Sequence, residues 1–157
     1  MKKKIALMGV LCGLTFVFTS FIKIPISAAG YVHLGNVVIV VSALMLGPLP
    51  AAIIGAAGSA LADLLVAPVW TLYTVVIKFA LGYLVSVADK KSKAAGILLY
   101  VAAGVIFVGG YYLAECIIFG NWVAPLFTTP QLSAEYILSL LAGLAIGRRL
   151  PKQSWGL

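Results

Sequence analysis

Six long apolar runs make up most of this chain, at residues 5–22, 34–46, 49–66, 69–87, 94–119 and 132–146, and polar residues are largely confined to the short stretches between them. Hydrocarbon offers no partner for a backbone N–H or C=O, so runs this apolar predict helices, which satisfy those groups internally. The alternating apolar and polar residues of a membrane barrel are absent. The second run falls short of the roughly 20 residues that span a bilayer comfortably, and Gly47-Pro48-Leu49-Pro50 turns it sharply into the third. The pattern therefore predicts an all-α integral membrane protein, a bundle of six transmembrane helices forming one unit over residues 1–157.

Composition strengthens this reading. Of 157 residues, 63% are hydrophobic and 10% charged, whereas soluble domains are about half apolar and a quarter charged. Nothing is left over for a soluble catalytic module. The net charge of +7 does not point to nucleic acid, because the basic residues sit in three short clusters at the ends of apolar runs: Lys2 to Lys4, then Lys90, Lys91 and Lys93, then Arg148, Arg149 and Lys152. Six crossings bring all three clusters to one side, which the positive-inside rule assigns to the cytoplasm, with both termini there. The charged start and following apolar run resemble a signal peptide, but no convincing small-residue cleavage site follows, so a retained first helix is expected.

Charge within a membrane segment is costly and needs a reason. Asp63, Lys78, Glu115 and Glu135 lie within or at the margins of the runs, with Asp63 and Glu115 toward the outer side and Lys78 near mid-depth. Trp70, Thr74 and Lys78 recur at intervals of four on the fourth run, and Tyr111, Tyr112 and Phe119 flank Glu115 on the fifth. Gly55, Ser59 and Asp63 give the third run a narrow face that allows close approach. The stretch 23–36, with Pro25, Gly30, Tyr31, His33, Gly35 and Asn36, is placed to act as a lid. Placed donors and acceptors within an aromatic wall suit a small, flat, polar ring compound. Two plainer readings stay open: the aromatic residues equally suit an interfacial belt, and Asp63 and Lys78 equally suit a structural ion pair. Glu135, beside Ser133, is expected to favour the positive end of its helix dipole.

Several functions are excluded by what the sequence lacks. There is no phosphate-binding Gly-x-x-x-x-Gly-Lys-Ser/Thr loop and no hydrolytic arrangement, so neither ATPase nor other enzyme activity is expected. Cys12 and Cys116 lie in apolar runs and read as packing thiols, and His33 has no second ligand at metal spacing. No metal or cofactor is expected.

Gly30-Tyr31-Val32-His33-Leu34-Gly35-Asn36, followed by Ala43-Leu44-Met45-Leu46-Gly47-Pro48, resembles the S-components of energy-coupling factor (ECF) vitamin transporters. Gly58 to Leu65, Ile77 to Gly82 and Tyr112 to Glu115 continue the likeness, in order, toward the branch with hydroxymethylpyrimidine, pyridoxine and riboflavin-like substrates. Asn36 departs from the aspartate frequent at the end of the loop motif, and the run after Pro130 matches that branch poorly.

The resemblance implies a multi-pass subunit of a prokaryotic plasma membrane that captures a vitamin from outside. Its partners would be a transmembrane coupling subunit (EcfT-like) and two ATP-binding-cassette ATPases. The site residues assigned on this basis are His33, Asn36, Trp70, Lys78, Tyr112 and Glu115 as ligand contacts, with Asp63 orienting Lys78 or binding directly. Ala6, Gly9 and Gly13 are the counterpart of the helix 1 surface that docks on the coupling subunit in many S-components. The favoured substrate is hydroxymethylpyrimidine or a pyridoxine-like compound. A stand-alone secondary transporter, in which Asp63, Lys78 and Glu115 relay protons or ions, is the alternative.

Overall fold

The computed structural model describes residues 2–27 and 30–151, with backbone alone for 23–27 and 30–32. Lys152 and the side chains of the lid stretch up to Val32 lie outside the described residues. Six helices follow one another: α1 (Lys2–Ser20), α2 (Gly35–Leu46), α3 (Pro48–Val66), α4 (Thr71–Asp89), α5 (Lys93–Phe119) and α6 (Thr129–Gly147). Single 3₁₀ turns at Pro68–Trp70 and Ala124–Phe127 lead into α4 and α6. Between α1 and α2 the chain forms an antiparallel hairpin, β1 (Lys23–Ser27) and β2 (Gly30–His33), which pairs Lys23 with His33 and Ile24 with Val32. The stretch expected to act as a lid is thus a short hairpin, with a register shift between Pro25 and Ser27, while the fold remains an all-α bundle.

Helix α2 is the axis of the bundle. Ten of its twelve residues are buried, so it is surrounded by protein on nearly every side. At about 1.5 Å per residue it is about 18 Å long, well short of a hydrocarbon core of about 30 Å. Helices α1, α3, α4 and α6 all pack against it. Ile39, Val40, Ala43 and Leu44 meet Ile77, Leu81 and Val85 of α4 and Ala103 and Phe107 of α5 in the main core. Two serines of the interior bond to backbone carbonyls: Ser42 Oγ donates to that of Val38 and Ser86 Oγ to that of Ala43, each at 2.7 Å.

Small residues set the helix spacing. A Cβ on Gly82 of α4 would lie 2.5 Å from the carbonyl oxygen of Ala51 on α3, and one on Gly55 of α3 would lie 2.8 Å from the Lys78 carbonyl oxygen. The backbones of α3 and α4 therefore touch, which carries Asp63 and Lys78 into the same region. Helix α1 leans on α3 in the same way, with Gly58 against Thr15 and the Cys12 carbonyl.

Large apolar side chains such as Leu65, Leu72, Val76, Leu98, Val105, Ile117 and Leu141 cover the outer surface, as lipid requires. Among the described residues, four helical segments are long and apolar enough to cross a membrane: Lys2–Ser20, Pro48–Val66, Pro68–Asp89 and Lys93–Phe119. Six crossings were expected on apolarity alone. The difference arises at α2, shortened because it lies inside the bundle, and at α6, whose first turns carry Gln131, Ser133 and Glu135.

The ends of the bundle differ in charge. Lys90 lies beside Gly47, with 3.5 Å between Nζ and a Cβ built there, and Gly147 meets Leu44, so the α2–α3 turn, the α4–α5 turn and the end of α6 share one end. Thr19 meets Gly35, which places the end of α1 and the start of α2 at the other. The basic residues Lys2 to Lys4, Lys90, Lys91, Lys93, Arg148 and Arg149 accordingly gather at the first end.

Candidate functional site

A cavity of about 280 Å³ opens at the end of the bundle remote from the basic clusters. Each neighbouring element contributes to its wall: Thr19 and Ser20 end α1, His33 ends β2, Asp63 lies on α3, Trp70 precedes α4, and Thr74 and Lys78 follow on α4. Helix α5 supplies Phe107, Tyr111 and Glu115, and the region entering α6 supplies Thr128, Gln131, Leu132 and Glu135.

Its floor is a buried polar relay. Lys78 is 1% exposed, Asn36 2% and Glu135 4%, so none of the three is hydrated to any extent. Lys78 Nζ donates to Asn36 Oδ1 at 2.6 Å, and Asn36 Nδ2 donates to Glu135 Oε1 at 2.7 Å. His33 Nε2 approaches the same Glu135 oxygen at 3.2 Å, tying the end of the hairpin to α6. The amide accepts from the ammonium and donates to the carboxylate at once, which a carboxylate in its place could not do. An aspartate at position 36 would set two carboxylates against each other, whereas the Asn36 amide donates to Glu135. Ring faces complete the shielding, with Lys78 Nζ 4.5 Å from the Phe107 centroid and 5.3 Å from that of Tyr111.

Above the floor the wall becomes aromatic. Trp70 lies 6.2 Å from both Tyr111 and Phe119, centroid to centroid, at interplanar angles of 53° and 62°. The Tyr111 and Thr74 hydroxyls hydrogen-bond at 3.1 Å. Thr128 Oγ1 donates to Glu115 Oε2 at 2.7 Å. Asp63 Oδ2 is shielded from solvent yet has no hydrogen-bond partner, and the hydroxyls of Thr19 and Ser20 share that condition. Unsatisfied buried polar groups are costly, and three gather at this cavity, while Ser59, Thr71, Tyr100 and Ser139 carry others away from it.

Of the residues assigned from the sequence, His33, Asp63, Trp70, Lys78 and Glu115 converge on this cavity. Asn36 is adjacent but lies behind Lys78, outside the lining. Tyr112 turns away, its hydroxyl donating to the Trp122 carbonyl at 2.8 Å, and the preceding residue Tyr111 takes the inward position. A helix turns about 100° per residue, so one position suffices to exchange the faces. Trp70 ends a 3₁₀ turn rather than lying on α4, and still reaches the cavity. The ammonium of Lys78 is engaged by Asn36, where a direct pair with Asp63 was one reading. Glu135 requires a correction: α6 begins at Thr129, so Glu135 lies in the second turn and points into the bundle rather than serving the helix dipole. Thr19, Ser20, Thr128 and Gln131 escaped the sequence reading; their one signal is that they are polar residues at the same end of the bundle.

Ala6, Gly9 and Gly13 are all exposed on α1, and a Cβ on either glycine would meet no atom within 4 Å. They face away from the bundle, while Leu11 and Thr15 form the buried side of the helix. Among the described residues no group of His, Cys, Asp or Glu is arranged to hold a metal ion.

Comparison with known proteins accords with this architecture. The sequence profile of the family described as "ECF-type riboflavin transporter, S component" matches residues 1–150. A Pyrococcus woesei protein described as "Uncharacterized protein in gap 3'region" is 36% identical over 107 residues, covering 66% of this chain and 72% of that protein. With a match over nearly the whole chain, apolar helices of membrane-crossing length and a polar cavity at one end of the bundle, this protein belongs to the S-component family of ECF-type transporters.

Proposed function

We propose that this chain captures a single-ring, water-soluble vitamin or vitamin precursor at the outer face of a prokaryotic plasma membrane, for an importer energised by partner ATPases. The observation that carries the reading is the cavity itself, which gathers buried polar groups and aromatic walls at the end remote from the basic clusters. By the positive-inside rule that basic end is cytoplasmic, so both termini are inside and the cavity faces out. The chain would act as one capture unit, with His33, Asp63, Trp70, Lys78, Tyr111 and Glu115 around the ligand and Asn36 holding Lys78 in place.

Size bears on the substrate. Ligand pockets commonly enclose about 300–1,000 Å³, and a cavity of about 280 Å³ lies at the small end. Hydroxymethylpyrimidine or a pyridoxine-like ring suits it better than the three fused rings and sugar-alcohol chain of riboflavin, the vitamin in the family's description. Purification in mild detergent followed by mass spectrometry of the retained small molecule tests this. A single-ring vitamin is expected, whereas proton-driven uptake by liposomes containing only this chain would replace the proposal with a stand-alone secondary transporter.

The exposed face of Ala6, Gly9 and Gly13 is the proposed docking surface for a transmembrane coupling subunit, because small residues four apart allow close helix approach in lipid. Gly9→Leu together with Gly13→Leu is expected to leave vitamin binding by the isolated chain within about twofold of wild type, since both positions are exposed and a Cβ at either meets no atom within 4 Å. The same variant should lose co-purification with a coupling subunit and its ATPases. Retained assembly would remove α1 from the interface.

A further inference from the structure

The chain carries no charged residue from Cys116 to Ala134, the stretch that ends α5, crosses to α6 and supplies Thr128 to the cavity wall. Between the two helices its large apolar side chains are turned away from the protein. Trp122 is 63% exposed, Val123 62% and Leu126 54%, and Phe127, at 83%, is the most exposed of the large apolar side chains described. A contiguous apolar cluster of this kind marks a surface that something other than water covers.

The backbone beneath these side chains needs little water. Asn121 Oδ1 accepts from the Val123 and Ala124 amides at 2.8 and 3.0 Å, and Tyr112 reaches over from α5 to donate to the Trp122 carbonyl. The Leu126 amide donates to the Val123 carbonyl at 3.0 Å, and the Pro125 carbonyl accepts from the Thr128 amide and the Thr129 hydroxyl. Pro125 is buried and has no N–H to satisfy. A turn that pairs its own polar groups and points apolar side chains outward suits the border of a membrane, where unpaired backbone groups are penalised.

The length of α5 sets the depth. Its 27 residues extend about 40 Å, more than the hydrocarbon core of about 30 Å and close to the roughly 40–45 Å of a bilayer with its headgroups. With Lys93 among the headgroups at the basic end, Phe119 and the turn after it fall at the opposite headgroup layer. Exposed Ile117 and Phe119 make the turn continuous with the lipid-facing surface of α5. Tryptophan concentrates at that level, because its ring is apolar and its N–H polar.

We infer that the 121–127 turn is an interfacial anchor, which sinks Trp122, Val123, Leu126 and Phe127 into the headgroup and upper acyl region of the leaflet on the cavity side. Lipid, not a second protein, covers it: the turn offers no charge for a protein to pair with, and it prolongs a face already turned to lipid. Phe127 is followed by Thr128, whose hydroxyl bonds Glu115 at 2.7 Å, so the anchor also fixes one wall of the cavity against the membrane surface. It stands whichever solute the cavity takes and whichever way the chain faces.

Fluorescence of the full chain in vesicles of phosphatidylcholine and phosphatidylglycerol tests this. The sequence has three tryptophans, Trp70, Trp122 and Trp155, and Trp70→Phe with Trp155→Phe leaves the indole of Trp122 alone. Its emission is expected to be quenched at least about threefold more by a lipid nitroxide at the top of the acyl chain than by one at the chain end, and to be protected from aqueous iodide. Phe127→Asp, at a side chain that touches little protein, should leave the unfolding temperature in detergent unchanged and raise iodide quenching of Trp122 in vesicles at least about twofold. Strong iodide quenching without lipid quenching would overturn the anchor, as would strongest quenching from the chain end. Shielding from iodide and lipid alike, the signature of a protein seated on the turn, would overturn it too. Should the double variant fail to fold, the difference in quenching between the unaltered chain and Trp122→Phe reads the same depth.

Discussion

Replacing Lys78 with Met is expected to lower the stability of the detergent-solubilised chain by about 3–5 kcal/mol, the usual cost of removing one partner from a buried charge cluster. Methionine fills a similar volume, so the loss reports charge and hydrogen bonding rather than a cavity. What remains is Asn36 Oδ1 without its donor and the Glu135 carboxylate without a compensating cation, in surroundings with almost no water. Adding Glu135→Gln to Lys78→Met should recover more than half of the loss, because a neutral amide can still accept from Asn36 Nδ2 and needs no counterion. Thermal unfolding of the two variants and of Glu135→Gln alone completes the cycle. Strict additivity would mean that the Lys78-Asn36-Glu135 relay is not a coupled unit.

Gly82→Ala is the second substitution with a large expected effect. The new Cβ would lie 2.5 Å from the Ala51 carbonyl oxygen, 2.7 Å from its carbon and 2.9 Å from the Ala52 nitrogen, all backbone atoms that cannot rotate aside. Helices α3 and α4 must separate, at a cost of about 1–3 kcal/mol typical of overpacked interiors. The same shift moves Asp63 away from Thr74 and Lys78, so ligand affinity should fall as well. Gly109→Ala is the matched control: nothing lies within 4 Å of its Cβ, and alanine favours the helix by up to about 1 kcal/mol. Equal unfolding temperatures for the two variants would be incompatible with direct α3–α4 backbone contact.

The six-helix architecture was legible because lipid removes most alternatives. The shortened α2 was also visible, ended by Gly47 and Pro48. The start of α6 was less so: placing it at Leu132 overlooked Pro130 in the first turn, a common position for proline, and this hid the inward direction of Glu135. The hairpin was missed because strands of five and four residues containing Pro25 and Gly30 carry turn chemistry within the pairing itself. In the cavity, unusual residues announced themselves: an ionisable group in an apolar run is visible in one dimension. Which of two adjacent tyrosines faces inward is not, since that depends on the rotation of α5 against its neighbours. Nor could spacing alone reveal Asn36 as the bridge between Lys78 and Glu135, which lie 57 positions apart in sequence.

The brevity of α2 has a consequence for how a ligand arrives. At about 18 Å, α2 is roughly 12 Å shorter than a hydrocarbon core of about 30 Å, and the hairpin that joins it to α1 sits at the end of the bundle where the cavity opens. A two-stranded ribbon retains two unpaired edges, and such edges persist in a membrane only against protein or water. In the proposed outward orientation, such edges would be met by a water-filled recess above the cavity, which would give a polar solute a path to the relay outside the hydrocarbon.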